Sequence, residues 1–353
     1  MLTQFSSVSK NINRSPYDQL DIASFSCHER YQSAQALTGH RMWFLPSQER
    51  HKWSENYSPI PPNIKFLTEI KYGQAQCFDM ILSHTPQQTS GIANQIAKQF
   101  NLPHISLNHC LLLAINPNYS SGFKKEIVAN DPSDYRVWIT SAQMADWGYK
   151  DDPKSRVILH GFDDKFWCGY NPKQSSILVV ANDLIGRGAV MGWDICQEVL
   201  DNKPVIFVGD TLWPNGKRFS EPAKNINELL IHYQSNMVYF NSARISTISS
   251  STLEALMVGC PVVSCEAPSF RDYFNCDGEH LFMSNDTNKL RSFIDFLMSN
   301  PKEAYDMGQR GRLKCTEIFN MNRFLNDWNK LFTEVLNNHI NFKQTTIKGF
   351  FNG

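Results

Sequence analysis

An excess of charge of either sign is missing from this sequence. Its 353 residues hold 34 Lys plus Arg against 34 Asp plus Glu, a formal net charge of zero. Nothing global therefore draws the chain toward a polyanion, although a local basic groove is compatible with such a balance. Also missing are any CxxC pair and any Cys/His cluster at zinc spacing. The nine cysteines are odd in number, the pattern of a reduced chain. No metal-ligand set emerges, and Asp151–Asp152 and Asp163–Asp164 read as loop charges. No apolar run approaches the roughly 18 residues that span a bilayer. The opening MLTQFSSVSKNINRSPYDQL lacks the apolar core of a signal peptide. These absences point to a cytoplasmic protein, with peripheral membrane contact the one membrane association left open. Internal repeats are absent too, and so are low-complexity tracts beyond Asn/Ser-rich loops.

What is present suffices for two domains with cores of their own, at an ordinary hydrophobic fraction of 42%. The most informative stretch runs from Arg244 to Phe282. Ser249, Ser250, Ser251 and Thr252 are helix N-cap residue types ahead of a helical run, Leu253 to Val258. Gly259 stops that run, Pro261 cannot continue it, and Val262 to Ser264 reads as a buried strand. A helix start directs unpaired N–H groups and positive partial charge at what precedes it, so this turn suits a phosphate. Glu254, in the first turn, suits a vicinal diol such as a ribose. Taken alone, the stretch also fits a buried helix–strand unit of any α/β protein.

The run EALMVGCPVV resembles the EAMACGLPVV signature of retaining nucleotide-sugar glycosyltransferases with the two-lobed GT-B fold, the group of bacterial mannosyltransferases and sucrose synthase. In that group two glutamates bracket seven residues. The second, a ribose ligand, corresponds to Glu254; the first falls at Ser246, a departure from the pattern. SFRDYF followed by DGEHLF is similar to the family's GGxPEI and DGENGLLV and places Asp272 at the acidic position.

The amino-terminal half follows the same order more loosely. LDIASF reads as a strand, SCHER as a loop, then a helix through Leu37, Gly39–His40 as its stop and RMWFL as the next strand. This resembles the family's opening unit, but SCHER stands where a glycine-rich loop is usual. His28, Glu29 and Arg30 become candidates for side-chain contacts on the acceptor side, while an exposed loop histidine remains the plain alternative for His28. Residues 46 to 63 read as a long surface loop, in which Trp53 and Tyr57 either stack on a sugar or base or cover the core edge. FDMILS, Phe78 to Ser83, resembles the family's strand DVVHAH, with Asp79 at its start and His84 just past its carboxyl end. LPHISLNH is similar to the family's P-x-x-x-T-x-H, whose last histidine touches the donor sugar, and this assigns that place to His109. Ligands of open parallel sheets bind beyond the carboxyl ends of the strands, where both histidines are expected. CLLLAI after His109 is too short for a span and reads as core. RVWITS resembles the last strand of the first lobe, and RVILHGFDDKFW resembles the hinge motif VIPNGVDxxxF.

In the carboxyl-terminal half, ILVV opens the second lobe. ANDLIGRG is similar to GRLxxxKG, where an arginine and a lysine clamp the diphosphate. Arg187 takes the lysine's place, and Asn182 the arginine's. VIFVG ends in Gly209, where a nucleotide base approaches. TLWPNGKRFSEPAKN reads as a turn-rich loop, Lys302 to Leu336 as a helical run, and the tail from Asn338 as frayed.

The resemblance implies an α/β chain of two Rossmann-like lobes facing across a cleft. Residues 1–165 form the acceptor side, 166–325 bind the donor, and 326–353 pack back toward the first lobe. It implies a hexosyl or pentosyl transfer from a UDP- or GDP-sugar to a hydroxyl acceptor, a saccharide or lipid-linked glycan, with retained configuration and neither metal nor cofactor. His109, Arg187 and Glu254 would be catalytic. Asn182, Gly209, Ser246, Ser249 to Thr252 and Asp272 would bind the donor, and His28, Glu29, Arg30 and His84 would serve the acceptor side. Three alternatives stay open: glycosylation of a hydroxymethylated DNA base, with Phe123, Lys124 and Lys125 contributing; a sugar-nucleotide epimerase or phosphorylase on the same architecture; and a non-catalytic nucleotide- or glycan-binding relative.

Overall fold

The computed structural model describes residues 18–46, 53–69, 77–84, 89–115, 126 and 131–351. Phe123, Lys124, Lys125 and the polar opening segment lie outside them.

Seven short strands make the first sheet: β1 (Asp21–Ser24), β2 (Arg41–Phe44), β3 (Ile64–Phe66), β4 (Met80–His84), β5 (His104–Asn108), β6 (Tyr135–Trp138) and β7 (Ser155–Val157). They lie in the order β3-β2-β1-β4-β5-β6-β7, and every pairing is parallel. Parallel strands covered on both faces read as unbroken buried runs, and all five residues of β4 and of β5 are buried. The order reverses direction between β1 and β4, which opens a crevice beyond their carboxyl ends. The loop after β1 and the end of β4, His84, flank that crevice.

The second sheet holds β8 (Gln174–Val180), β9 (Val205–Val208), β12 (Asn236–Asn241), β13 (Val262–Ser264) and β14 (Phe282–Met283), in the order β14-β13-β12-β8-β9. It too is parallel throughout. Its reversal lies between β8 and β12, so the loops carrying Asn182 and Ser246 flank a second crevice. Between β9 and β12 the expected turn-rich loop forms a small antiparallel hairpin, β10 (Thr211–Leu212) with β11 (Arg218–Ser220). Sequence reading missed it because each arm is only two or three residues long. The short edge strands β3 and β7 went unseen for the same reason.

The helix Ser250–Val258 begins at Ser249, whose hydroxyl accepts from the Thr252 amide, and ends at Gly259 with φ of 91°. A side chain at Gly259 would strain that left-handed backbone and meet Gln309 Nε2 at 2.7 Å.

The helical run expected from Lys302 to Leu336 is made of two helices, Pro301–Ile318 and Met321–Phe351. The break has a physical cause. The Phe319 carbonyl accepts from the Phe162 amide at 2.9 Å, and the Asn320 side chain caps the next helix through the Arg323 amide at 2.8 Å. The tail from Asn338, expected to fray, continues the last helix to Phe351. That helix lies on the first lobe: Glu334 pairs with Arg156, and the Asn338 amide donates to Tyr135 Oη at 2.7 Å. Among the described residues no helix is long and apolar enough to cross a membrane.

Candidate active site

The two crevices face each other across a cavity of about 620 Å³, within the range usual for small-molecule sites. His28, Arg30, Tyr31, His109 and His160 line it from the first lobe; Asn182, Ser250 and Glu254 line it from the second. A second hollow of about 550 Å³ touches His104 and Tyr135, the first residues of β5 and β6. It lies at the amino ends of the strands, where parallel sheets do not place ligands.

Glu254 is the centre of the second-lobe wall and only 1% exposed. Its Oε1 accepts from Arg30 of the first lobe, and its Oε2 accepts from Tyr233 Oη at 3.0 Å. Burial raises its pKa, and Arg30 and Tyr233 work against that rise. Ser250 lies one helical turn away, at the start of the helix whose first N–H groups have no helical partner. The preceding turn is ordered by its own hydroxyls. Ser249 Oγ and Ser251 Oγ share a hydrogen bond of 2.8 Å, and Tyr239 Oη donates to Ser251 Oγ, also at 2.8 Å.

On the opposite wall, Gln32 organises the loop SCHER. Its Oε1 accepts from the amides of Cys27 and His28 at 2.9 and 3.1 Å, and its Nε2 donates to the Phe25 carbonyl at 2.7 Å. The same Nε2 lies 3.0 Å from His84 Nε2, and His84 Nδ1 lies 3.2 Å from His109 Nε2. The His84 and His109 rings are nearly parallel, 5° apart with centroids 5.5 Å apart, and meet edge to edge through these nitrogens, while the edges of His28 and Tyr31 meet His109 at centroid distances of 5.0 and 5.2 Å. Burial is the first cause that lowers the pKa of His84, to about 3, and of His160, also to about 3; it lowers that of His109 too, with His28 adding to all three.

One ligand atom from each of Cys27, His84 and His109 lies within 4.8 Å of the others, the only such group among the described residues. Its wiring works against a cation. A metal on His84 Nδ1 would leave the His84 proton on Nε2, facing the Gln32 amide group, itself a donor. Burial also pushes the Cys27 thiol up to about 12, away from the thiolate a metal needs.

The remaining sequence candidates divide. Glu29 lines the cavity beside Arg30. Asn182 lines it as well, and its Oδ1 accepts from the Asp210 amide at 3.0 Å, so its side chain also ties the loops after β8 and β9 together. Gly209, with φ of 139°, sits so close to this junction that a Cβ would fall 2.0 Å from the Ala181 carbonyl oxygen. Ser246 is half-buried in the loop that joins β12 to the Ser249 turn. Its neighbour Thr247 donates to the His109 carbonyl at 3.1 Å and so joins the lobes. Arg187 is exposed and lies outside the lining, although it is near enough to Cys110, next to His109, to lower that thiol's pKa against burial. Asp272 is exposed on a turn away from the lining. In the 46–63 loop, Trp53 donates to the Ser58 carbonyl and packs on Phe44 and Phe66, while Tyr57 donates to the Ala223 carbonyl of the second lobe. These two aromatics cover the core edge and bridge the lobes.

Sequence reading passed over Gln32, Tyr31, His160 and Tyr233. His160 alone carried a signal, standing in the hinge motif where an asparagine is usual. Beside it, Gly161 leaves no room, since a Cβ would lie 2.5 Å from Phe324 Cβ. Gly161→Val is expected to push the hinge off the last helix and lower the melting temperature by several degrees, a loss of about 1–3 kcal/mol. An unchanged melting curve would contradict this packing.

Residues 193–329 match the glycosyl transferase-like family. No curated protein matches the sequence. Among solved structures, Anabaena HepE, determined with UDP and glucose, is similar at a TM-score of 0.70 and 13% identity, with 91% of this chain and 100% of that one covered. Sucrose-phosphate synthase from Thermosynechococcus elongatus is similar at 0.69 and 14%, with 90% and 99% covered. A glycosyltransferase from Rickettsia africae follows at 0.66 and 13%, with 91% and 99% covered.

Proposed function

We propose that this chain, which has the GT-B fold and a second lobe of the glycosyl transferase-like family, transfers a sugar from a nucleoside diphosphate to a hydroxyl acceptor. The observation that carries the reading is the opposition of Glu254 and the Ser250 helix start to His28, Arg30, His109 and His160 across one cavity. UDP-sugars are the first donors to test, because HepE was solved with UDP, with UDP-glucose, and with UDP and glucose.

Each residue has a task within this reading. Ribose hydroxyls take Arg30's place on Glu254, and the freed guanidinium turns to the diphosphate. This restores on the first lobe the cation that Asn182 does not supply on the second. The N–H groups at the start of the Ser250–Val258 helix hold phosphate oxygens, and Arg187 approaches from the rim. The bond from the anomeric carbon to the diphosphate breaks, and the diphosphate leaves with the electron pair. These cationic and N–H groups stabilise the developing charge, which is the work a metal does elsewhere. The acceptor oxygen bonds to the same carbon and passes its proton to an oxygen of the departing diphosphate. Retention of configuration and a saccharide or lipid-linked acceptor belong to this proposal.

The test is a donor panel with mass-spectrometric readout of released diphosphate and transferred sugar, with and without EDTA, and NMR of the product anomer. Transfer that survives chelation supports the reading. Isomerised sugar, or UDP binding without turnover by any donor, would replace it with the epimerase or the non-catalytic alternative.

A further inference from the structure

Three side chains in a row connect the core of the first lobe to the cleft, and their hydrogen bonds fix where each proton sits. The orientation of the Gln32 amide is settled by its surroundings. Its oxygen meets two backbone N–H groups, and its nitrogen meets the Phe25 carbonyl. Reversing it would set donors against donors and an acceptor against an acceptor. The amide nitrogen therefore donates to His84 Nε2, which has to be a bare acceptor. His84 then carries its proton on Nδ1 and donates it to His109 Nε2. His109 is left with its own proton on Nδ1 and no lone pair to spare.

We infer that Gln32 and His84 are positioning residues that lock His109 as a neutral Nδ1–H donor, so that it gives a hydrogen bond to the sugar donor and does not act as a base. Ser24 Oγ, 3.3 Å from His84 Nε2, is able to donate to the same lone pair. The titratable and charged groups around the chain are His28, His160, Cys27 and Cys110, with Glu29, Arg30, Arg187 and Arg323 beyond them. None of these breaks the chain, because the contact between the two imidazoles is direct. Orienting a functional histidine through the bond made by its other nitrogen is how proteins select a tautomer.

This rests on the glycosyl-transfer reading only for what His109 donates to, and the experiment separates the two. Two-dimensional 15N–1H NMR of the labelled protein between pH 7 and 8 reports which nitrogen of each ring is protonated, with or without activity. Nδ1–H on both His84 and His109 supports the chain; Nε2–H on either overturns it. Gln32→Glu replaces the donating group with an accepting oxygen. It is expected to turn both tautomers over and to lower kcat at least about tenfold, the effect of one misdirected hydrogen bond, with donor KM little changed. His84→Phe keeps a ring in place and removes the lock, and it is expected to free His109 Nε2 for a proton. A folded variant of either kind with His109 still Nδ1-protonated and full turnover sinks the inference. If the wild-type tautomers are as stated but no donor is turned over, the chain stands and the transferase reading falls.

Discussion

On acidification below about pH 6 the protein is expected to lose its fold steeply, with a midpoint near pH 5. The cause is a group of histidines held neutral in the interior. His84, His104 and His160 have pKa values lowered to about 3, about 4 and about 3, in each case first by burial, and that of His109 is lowered as well. The sign follows from linkage. The unfolded chain takes up protons on these residues as pH falls through about 6.5, whereas the folded chain refuses them until far lower. Their contribution is complete above about pH 6.5 and is lost progressively as pH falls toward 4 for His104 and toward 3 for His84 and His160. Each residue costs about 1.4 kcal/mol per pH unit in that window. Four together remove several kcal/mol per unit from a total stability of about 5–15 kcal/mol. Glu254, whose pKa is raised, opposes the trend, but it is one group against four. Circular dichroism and tryptophan emission followed from pH 8 to pH 3.5 test this directly. A native spectrum at pH 4 would show that the histidines find counter-charges or water. His104→Gln removes one of the four and is expected to move the midpoint to lower pH.

The same histidines show what the sequence could reveal and what it could not. Strands such as β4, β5 and β12 were legible because doubly covered parallel strands are unbroken buried runs. The Ser249 turn and the Gly259 stop were legible because capping depends on residue type at fixed spacing. His84 and His109 could be placed at strand ends by the same local logic. That they touch each other, and that Gln32 sets their protons, depends on the side-by-side pairing of β1, β4 and β5, which no local pattern reports. The partner of Glu254 was hidden for a stronger reason. Arg30 is 224 positions away and belongs to the other lobe. A carboxylate next to a helix start suggested a ligand's hydroxyl, while the structure fills that place with a guanidinium. Arg187 and Asp272 show the converse, since motif position alone did not bring them into the lining of the cavity.

Replacing Arg30 with methionine is expected to weaken both the fold and UDP binding, and the two losses have different pH signatures. The substitution keeps most of the aliphatic stem and leaves Glu254, 1% exposed, with Tyr233 as its remaining partner. Breaking a fully buried pair costs about 3–5 kcal/mol. The Arg30 side chain is 37% exposed, so solvent screens part of the pair and about 2 kcal/mol at neutral pH is expected. Glu254 already has a raised pKa, and loss of the cation raises it further. A raised carboxyl is favourable while protonated. Its penalty begins as pH climbs through the unfolded value near 4.5 and is complete above the folded one. Arg30→Met is therefore expected to lose progressively more stability as pH rises, the opposite slope to that of the histidines. Arg30→Met combined with Glu254→Gln should recover most of the loss, because the coupling between the two sites vanishes when both charges are gone. UDP affinity decides what Arg30 does when donor arrives. If the guanidinium passes from Glu254 to the diphosphate, calorimetry should show UDP binding at least about tenfold weaker, the size of a charge-assisted contact of about 1.5–3 kcal/mol. If Arg30 only obstructs the ribose site, its removal should make UDP bind more tightly, and the proposed exchange of partners on Glu254 would be wrong.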